Sequence, residues 1–155
     1  MRRLLLCLVL LLPNAAFAAD TGWTAEMEED EGGPVMVASV TAEAADPSTA
    51  PSLRMMCAGS DGVNLRYTPP SNTGQPGDTA DFTFENEVSQ LTLHLVYEDM
   101  DGAFATYVPP SDPILELLRT GTDVEISYSS GNSPAQDFSL KGSSKAIGKL
   151  LKTCE

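Results

Sequence analysis

Few residues in this chain could do chemistry, and their types restrict what it could be. Cysteines stand at positions 7, 57 and 154, and His94 is the single imidazole. If Cys7 leaves with the leader read below, the two remaining thiols and one imidazole cannot complete the four-ligand shell of a structural zinc site. As a general base, His94 would need a nucleophile or an orienting carboxylate from another segment. It shares a strand face with Thr92 and Glu98, the face expected to meet solvent. Gly59-Ser60-Asp61-Gly62 has one residue too few between its glycines for a nucleophile elbow and reads as a turn. Glu98, Asp99 and Asp101 place three carboxylates at one turn, a hard-cation arrangement in outline. The other ligands of an EF-hand loop are missing, so a solvated hairpin tip is expected, with weak calcium binding as the alternative. The adjacent Met55 and Met56 could in principle hold copper, but one of them is expected in the core. Paired carboxylates for glycoside hydrolysis would have 22 acids to draw on. Aromatic faces for stacking a sugar are few, however. The acidic run Glu26, Glu28, Glu29, Asp30 and Glu31 could dock a basic partner or simply stay solvated. No cofactor motif is present, and no cofactor is expected.

The start of the chain sets the redox context of these thiols. Arg2 and Arg3 precede the apolar run from Leu4 to Leu12, and Ala16-Phe17-Ala18 follows as an A-x-A cleavage pattern. A basic start, a short apolar middle and small residues before a cut site read as a signal peptide over residues 1–18. The run is too short to span a bilayer as a helix. Cys7 lies inside it and would leave with it. Cys57 and Cys154 would then occupy an oxidising compartment, where a disulfide is the default. Two free thiols or an intermolecular bridge are the other possibilities. The whole chain carries a formal charge of −13, and losing Arg2 and Arg3 makes it more negative. Such a surface disfavours nucleic acid and anionic lipid and favours cationic partners. No second apolar stretch approaches spanning length, so no membrane span is expected after processing.

The elements that would position these residues are mostly strands. Residues 19–33 are acidic and poor in large apolar groups, so they read as a loosely held arm with Trp23 as its anchor. A single β-rich domain is expected over 34–155. Val35 to Ala42 is apolar on both faces, as in a strand covered on two sides. Leu53, Met55 and Cys57 share one face of a strand, and Val63, Leu65 and Tyr67 share a face of the next, with a four-residue turn between. Pro69 to Asp78 is a long loop. Phe82 and Phe84 mark a strand, and Leu91, Leu93, Leu95 and Tyr97 alternate strictly. Asp101-Gly102 then turns the chain into Ala103–Val108. Asp112 followed by Pro113 starts a short helix, and Gly121 fits its left-handed stop. Val124, Ile126 and Tyr128 give another strand, and Phe138 with Leu140 the last. Ala146, Ile147, Leu150, Leu151 and Cys154 recur at helical spacing, with Lys145, Lys149 and Lys152 on the opposite face. The expected fold is therefore mainly β, an antiparallel sandwich or half-barrel of seven or eight strands. Two short helices are expected, the C-terminal one packed on the sheet.

Three stretches together resemble a known family. They are Pro51-Ser52-Leu53-Arg54-Met55-Met56-Cys57, then Pro113-Ile114-Leu115 with Leu117-Leu118 ahead of Val124-Glu125-Ile126, and Ser133-Pro134 with Phe138-Ser139-Leu140-Lys141-Gly142, Ala146-Ile147 and Cys154. This order is similar to the VasI-like type VI secretion-associated proteins of Gram-negative bacteria. The ending Phe138-x-Leu140-x-Gly142 with Ala146 is also similar to the tail of the invasion-associated locus B proteins. The acidic segment after Trp23 and the lack of a mid-chain Trp depart from the first family. The resemblance implies a periplasmic location, a Cys57–Cys154 pair and no transferable catalytic residue. The expected function is a non-enzymatic accessory or binding protein of the cell envelope, acting on another envelope protein. The alternative is a small exported hydrolase using carboxylates, or an inhibitor of an envelope enzyme.

Overall fold

A computed structural model of the chain describes residues 22–44, 46–59, 62–71, 74–129 and 134–154. The proposed leader, residues 1–18, lies outside the described residues, as do Ser60 and Asp61 of the first expected turn. Nine strands form one antiparallel sheet: β1 Thr24–Asp30, β2 Gly33–Thr41, β3 Ser52–Cys57, β4 Val63–Thr68, β5 Thr79–Glu85, β6 Gln90–Glu98, β7 Ala103–Val108, β8 Asp123–Tyr128 and β9 Gln136–Ser139. Their order is β1-β2-β3-β4-β7-β6-β5-β8-β9, so the meander β5–β6–β7 is laid into the sheet in reverse. Among the described residues there are two α-helices, α1 over Pro113–Leu117 and α2 over Ser143–Thr153. Among the described residues no helix is long and apolar enough to cross a membrane.

Residues 24–30, expected to belong to a loosely held arm, are instead strand β1. It pairs with β2 from Thr24↔Ser39 to Asp30↔Gly33. The turn is only Glu31-Gly32, and Gly33 takes a φ of +104°, open to glycine and strained for other residues. Backbone pairing is indifferent to side-chain charge, so an acidic strand can form where its side chains stay wet. All four acids from 26 to 30 are exposed, and Met27 is 55% exposed. The run therefore adds almost nothing to the core, which is why hydrophobic periodicity missed it. Its charges also blunt an edge strand against pairing with other chains.

The sheet curls on itself. Tyr67 on β4 and Phe138 on β9 are five strand positions apart, about 24 Å in a flat sheet, yet their ring centroids lie 6.1 Å apart. Inward residues of nearly every strand thus meet in one core, with Leu53, Met55, Leu65, Phe84, Leu95, Ile126 and Phe138 essentially sealed from water. Burying each such side chain contributes about 1.5–3 kcal/mol. At the seam, Trp23 N–H donates to the Lys141 carbonyl at 2.8 Å. Gly142 follows with φ +83°, and a Cβ there would sit 3.1 Å from the Trp23 carbonyl.

Helix α2 leaves this seam and packs across β1, β2 and β3, burying Ala146, Ile147 and Leu150. It ends at Cys154, which is disulfide-bonded to Cys57 at the end of β3, with the Cα atoms 5.3 Å apart. Helix α1 starts as expected. The Asp112 carboxylate accepts from Ile114 N–H at 3.0 Å, Pro113 needs no partner at the first position, and Ile114, Leu115 and Leu117 point inward.

Candidate functional site

The aromatic residues collect at one end of the sheet because the register puts them there. Tyr67 is next to last in β4, opposite Leu53 near the start of β3 and Phe104 near the start of β7. Tyr128 ends β8 opposite Phe82 on β5. Phe82 is the hub. Its centroid lies 5.2 Å from Tyr67, 5.0 Å from Phe104 and 5.3 Å from Tyr128, the first two edge-on and the last stacked. Beside these rings opens a cavity of about 340 Å³, whose remaining described walls include Pro69, Pro70, Ile126 and Pro134. That volume falls in the range of about 300–1,000 Å³ typical of small-molecule sites, which often occupy the mouths of β-barrels. Gly74 packs closely on β6 at this end: a Cβ there would lie 2.4 Å from the Tyr97 ring. The disulfide clasp is at the opposite end of β3.

Besides Tyr128, the described lining residues with polar side chains are Tyr67, Ser71, Asp78 and Thr79, of which Tyr67 is buried and the other three are exposed. Tyr67 is only 3% exposed, and burial pushes its phenol up to about 12. Its ring contacts are Phe82 and Phe138, while no protein group among the described residues hydrogen-bonds its hydroxyl. At the rim, Asp78 is exposed and its carboxylate accepts from Gln75 N–H at 2.8 Å. None of the described lining residues is basic. A larger groove of about 530 Å³ runs between Thr41–Glu43 and the edge formed by Asp123 and β9; its described lining is mostly polar, with the carboxylates of Glu43, Asp123 and Asp137, and includes no aromatic ring.

The residues singled out by type lie elsewhere. His94 is 62% exposed, and its Nδ1 lies 2.8 Å from the carboxylate of Asp81, its cross-strand partner. A carboxylate does orient the ring, but among the described residues no hydroxyl is bonded to it. The nearby hydroxyls of Thr83, Thr92 and Ser129 bond one another instead. Glu98 and Asp101 do not enclose a cation. Both carboxylates pair with the guanidinium of Arg66, and the Asp99 carbonyl accepts from Gly102 in the turn. Among the described residues no group of three His, Cys, Asp or Glu side chains could hold a metal. Of the acidic run, Glu28 pairs with Arg54 at 2.5 Å, and Asp30 caps Glu31 N–H at 2.8 Å, while Glu26 and Glu29 are exposed. Arg54 and Arg66 face each other across β3 and β4. Like charges in that position repel, and the flanking carboxylates offset this.

No known relative supplies a function. Neither a family model, nor a curated protein, nor a solved structure matches the chain.

The aromatic cavity was not visible as a site in the sequence. Each of its rings follows the strand alternation, but only register and curvature bring them to one end. The usable signal was positional: Tyr67 and Tyr128 each stand last in an alternating run that leads into a Pro-containing loop.

Proposed function

We propose that this is an exported, non-enzymatic binding protein of the cell envelope, which holds a small apolar ligand in the aromatic cavity. The observation that carries the reading is the cavity itself, walled by Tyr67, Phe82, Phe104 and Tyr128 at the end of the sheet away from the Cys57–Cys154 clasp. Rings set on paired strands form a pre-organised wall, so little order must be created on binding. The disulfide and the leader-like first residues support a periplasmic location. Resemblance to the VasI-like proteins supports an accessory role beside a secretion machine. The exposed acids of β1 give such a protein a surface for a basic envelope partner. Among the described residues lining the aromatic cavity Asp78 is the one carboxylate, and Glu43, Asp123 and Asp137 line the separate polar groove instead, so the aromatic cavity itself is suited to binding rather than to paired-carboxylate hydrolysis.

The test is a neutral, environment-sensitive dye, N-phenyl-1-naphthylamine, titrated into the oxidised protein. Fluorescence should rise saturably. Ser71→Trp, at an exposed wall position on the loop after β4, should fill the cavity and remove the rise while leaving the melting midpoint in place. No saturable rise, or a rise indifferent to Ser71→Trp, would refute the reading.

A further inference from the structure

We infer that the cavity selects neutral, largely apolar molecules carrying one acceptor oxygen of the carbonyl class, and that the Tyr67 hydroxyl is the group that recognises it. This rests on the cavity being the binding site and adds the chemical class of its ligand. A tyrosine hydroxyl in apolar surroundings normally finds a hydrogen-bond partner. The Tyr67 side chain is buried to 3% exposure and lines the cavity, no described protein group bonds its hydroxyl, and that oxygen is not sealed within the protein, so it is open to an occupant of the cavity. Its ring is held in edge-on contact with Phe82 at 5.2 Å and Phe138 at 6.1 Å, so the hydroxyl is presented from a fixed base. A ligand oxygen in the cavity would complete the missing bond, with the phenol as donor.

The same surroundings exclude other classes. No described lining residue is basic and Asp78 stands at the rim, so no described group of the wall neutralises a carboxylate or phosphate on the ligand. The formal charge of −13 adds to that repulsion. A cation would find one carboxylate, Asp78, which is exposed and already bonded to Gln75 N–H. A pure hydrocarbon would fill the space but leave the hydroxyl without its partner. The upward shift of the Tyr67 phenol keeps it protonated, and hence a donor, throughout the neutral range.

The experiment compares two near-isosteric probes, 2-acetylnaphthalene and 2-ethylnaphthalene, by calorimetry on the oxidised protein. The ketone should bind about three- to tenfold more tightly, the effect of one neutral hydrogen bond. Tyr67→Phe should reduce the ketone to the affinity of the hydrocarbon and leave the hydrocarbon unchanged. Infrared spectra of the bound ketone should show a carbonyl stretch at lower frequency in the wild type than in Tyr67→Phe. Should that variant fail to fold, the wild-type comparison of the two probes together with the carbonyl frequency of the bound ketone decides. Equal binding of the two probes, or an unshifted carbonyl, overturns the role of Tyr67 while leaving the cavity a binding site. Binding of neither probe overturns both readings.

Discussion

Cutting the Cys57–Cys154 bridge should lower the melting midpoint strongly without unfolding the protein. The partners are 97 positions apart in sequence. Closing a loop of that length removes entropy from the unfolded chain worth about 4–5 kcal/mol, an upper value because residual structure reduces it. For a domain of this size each kcal/mol moves the midpoint by about 3–4 °C, so a fall of about 10–20 °C is expected. The native state should persist at room temperature, because α2 is also held by Ala146, Ile147 and Leu150. Burial of the two large residues contributes about 1.5–3 kcal/mol each. Differential scanning calorimetry of the oxidised protein, the reduced protein, Cys57→Ser, Cys154→Ser and the double variant would measure this. The double variant should melt with the singles, since either change removes the whole bridge. The cavity is at the other end of β3, so dye affinity at room temperature should be the same before and after reduction. An unchanged melting curve on reduction would refute the reasoning.

Three further outcomes follow from individual contacts. Asp112→Ala removes the carboxylate that accepts from Ile114 N–H, and should cost about 1 kcal/mol in urea unfolding. Arg66→Ala strips the shared partner from Glu98 and Asp101. It should cost about 1–2 kcal/mol, and the loss should shrink at high salt because both carboxylates are partly solvated. Burial pushes the Tyr67 phenol up to about 12, from an ordinary tyrosine value of about 10. Its protonated form is therefore favoured by folding, and that contribution is present below pH 10 and lost as pH rises toward 12. Wild-type stability should fall across this window by up to about 2–3 kcal/mol more than that of Tyr67→Phe, measured by denaturant unfolding at stepped pH.

The fold was legible where side chains alternate against a core. Leu91 to Tyr97 and Val63 to Tyr67 are strands in both readings, and the amphipathic spacing of Ala146 to Cys154 marked α2. β1 was missed because its inward positions are Ala25 and the mostly exposed Met27, which bury too little to create a pattern. The two-residue turn at Glu31-Gly32 was the available clue, since Gly33 can take the positive φ it needs. Pairings set by register were beyond single-strand reasoning: Asp81 beside His94, Arg54 opposite Arg66, and both Glu98 and Asp101 on Arg66. The cavity required more still. Its rings come from β4, β5, β7 and β8, and only the curl that brings Tyr67 to Phe138 makes the enclosure.

The most direct check on a binding function is where a small apolar molecule lands. Side-chain resonances of the oxidised protein should be followed by nuclear magnetic resonance while 2-acetylnaphthalene is added. Saturable shifts are predicted at the rings of Tyr67, Phe82, Phe104 and Tyr128, with Arg54, Arg66 and His94 on the outer face unmoved. Shifts confined to that outer face, or none at saturation of the probe's solubility, would contradict the account.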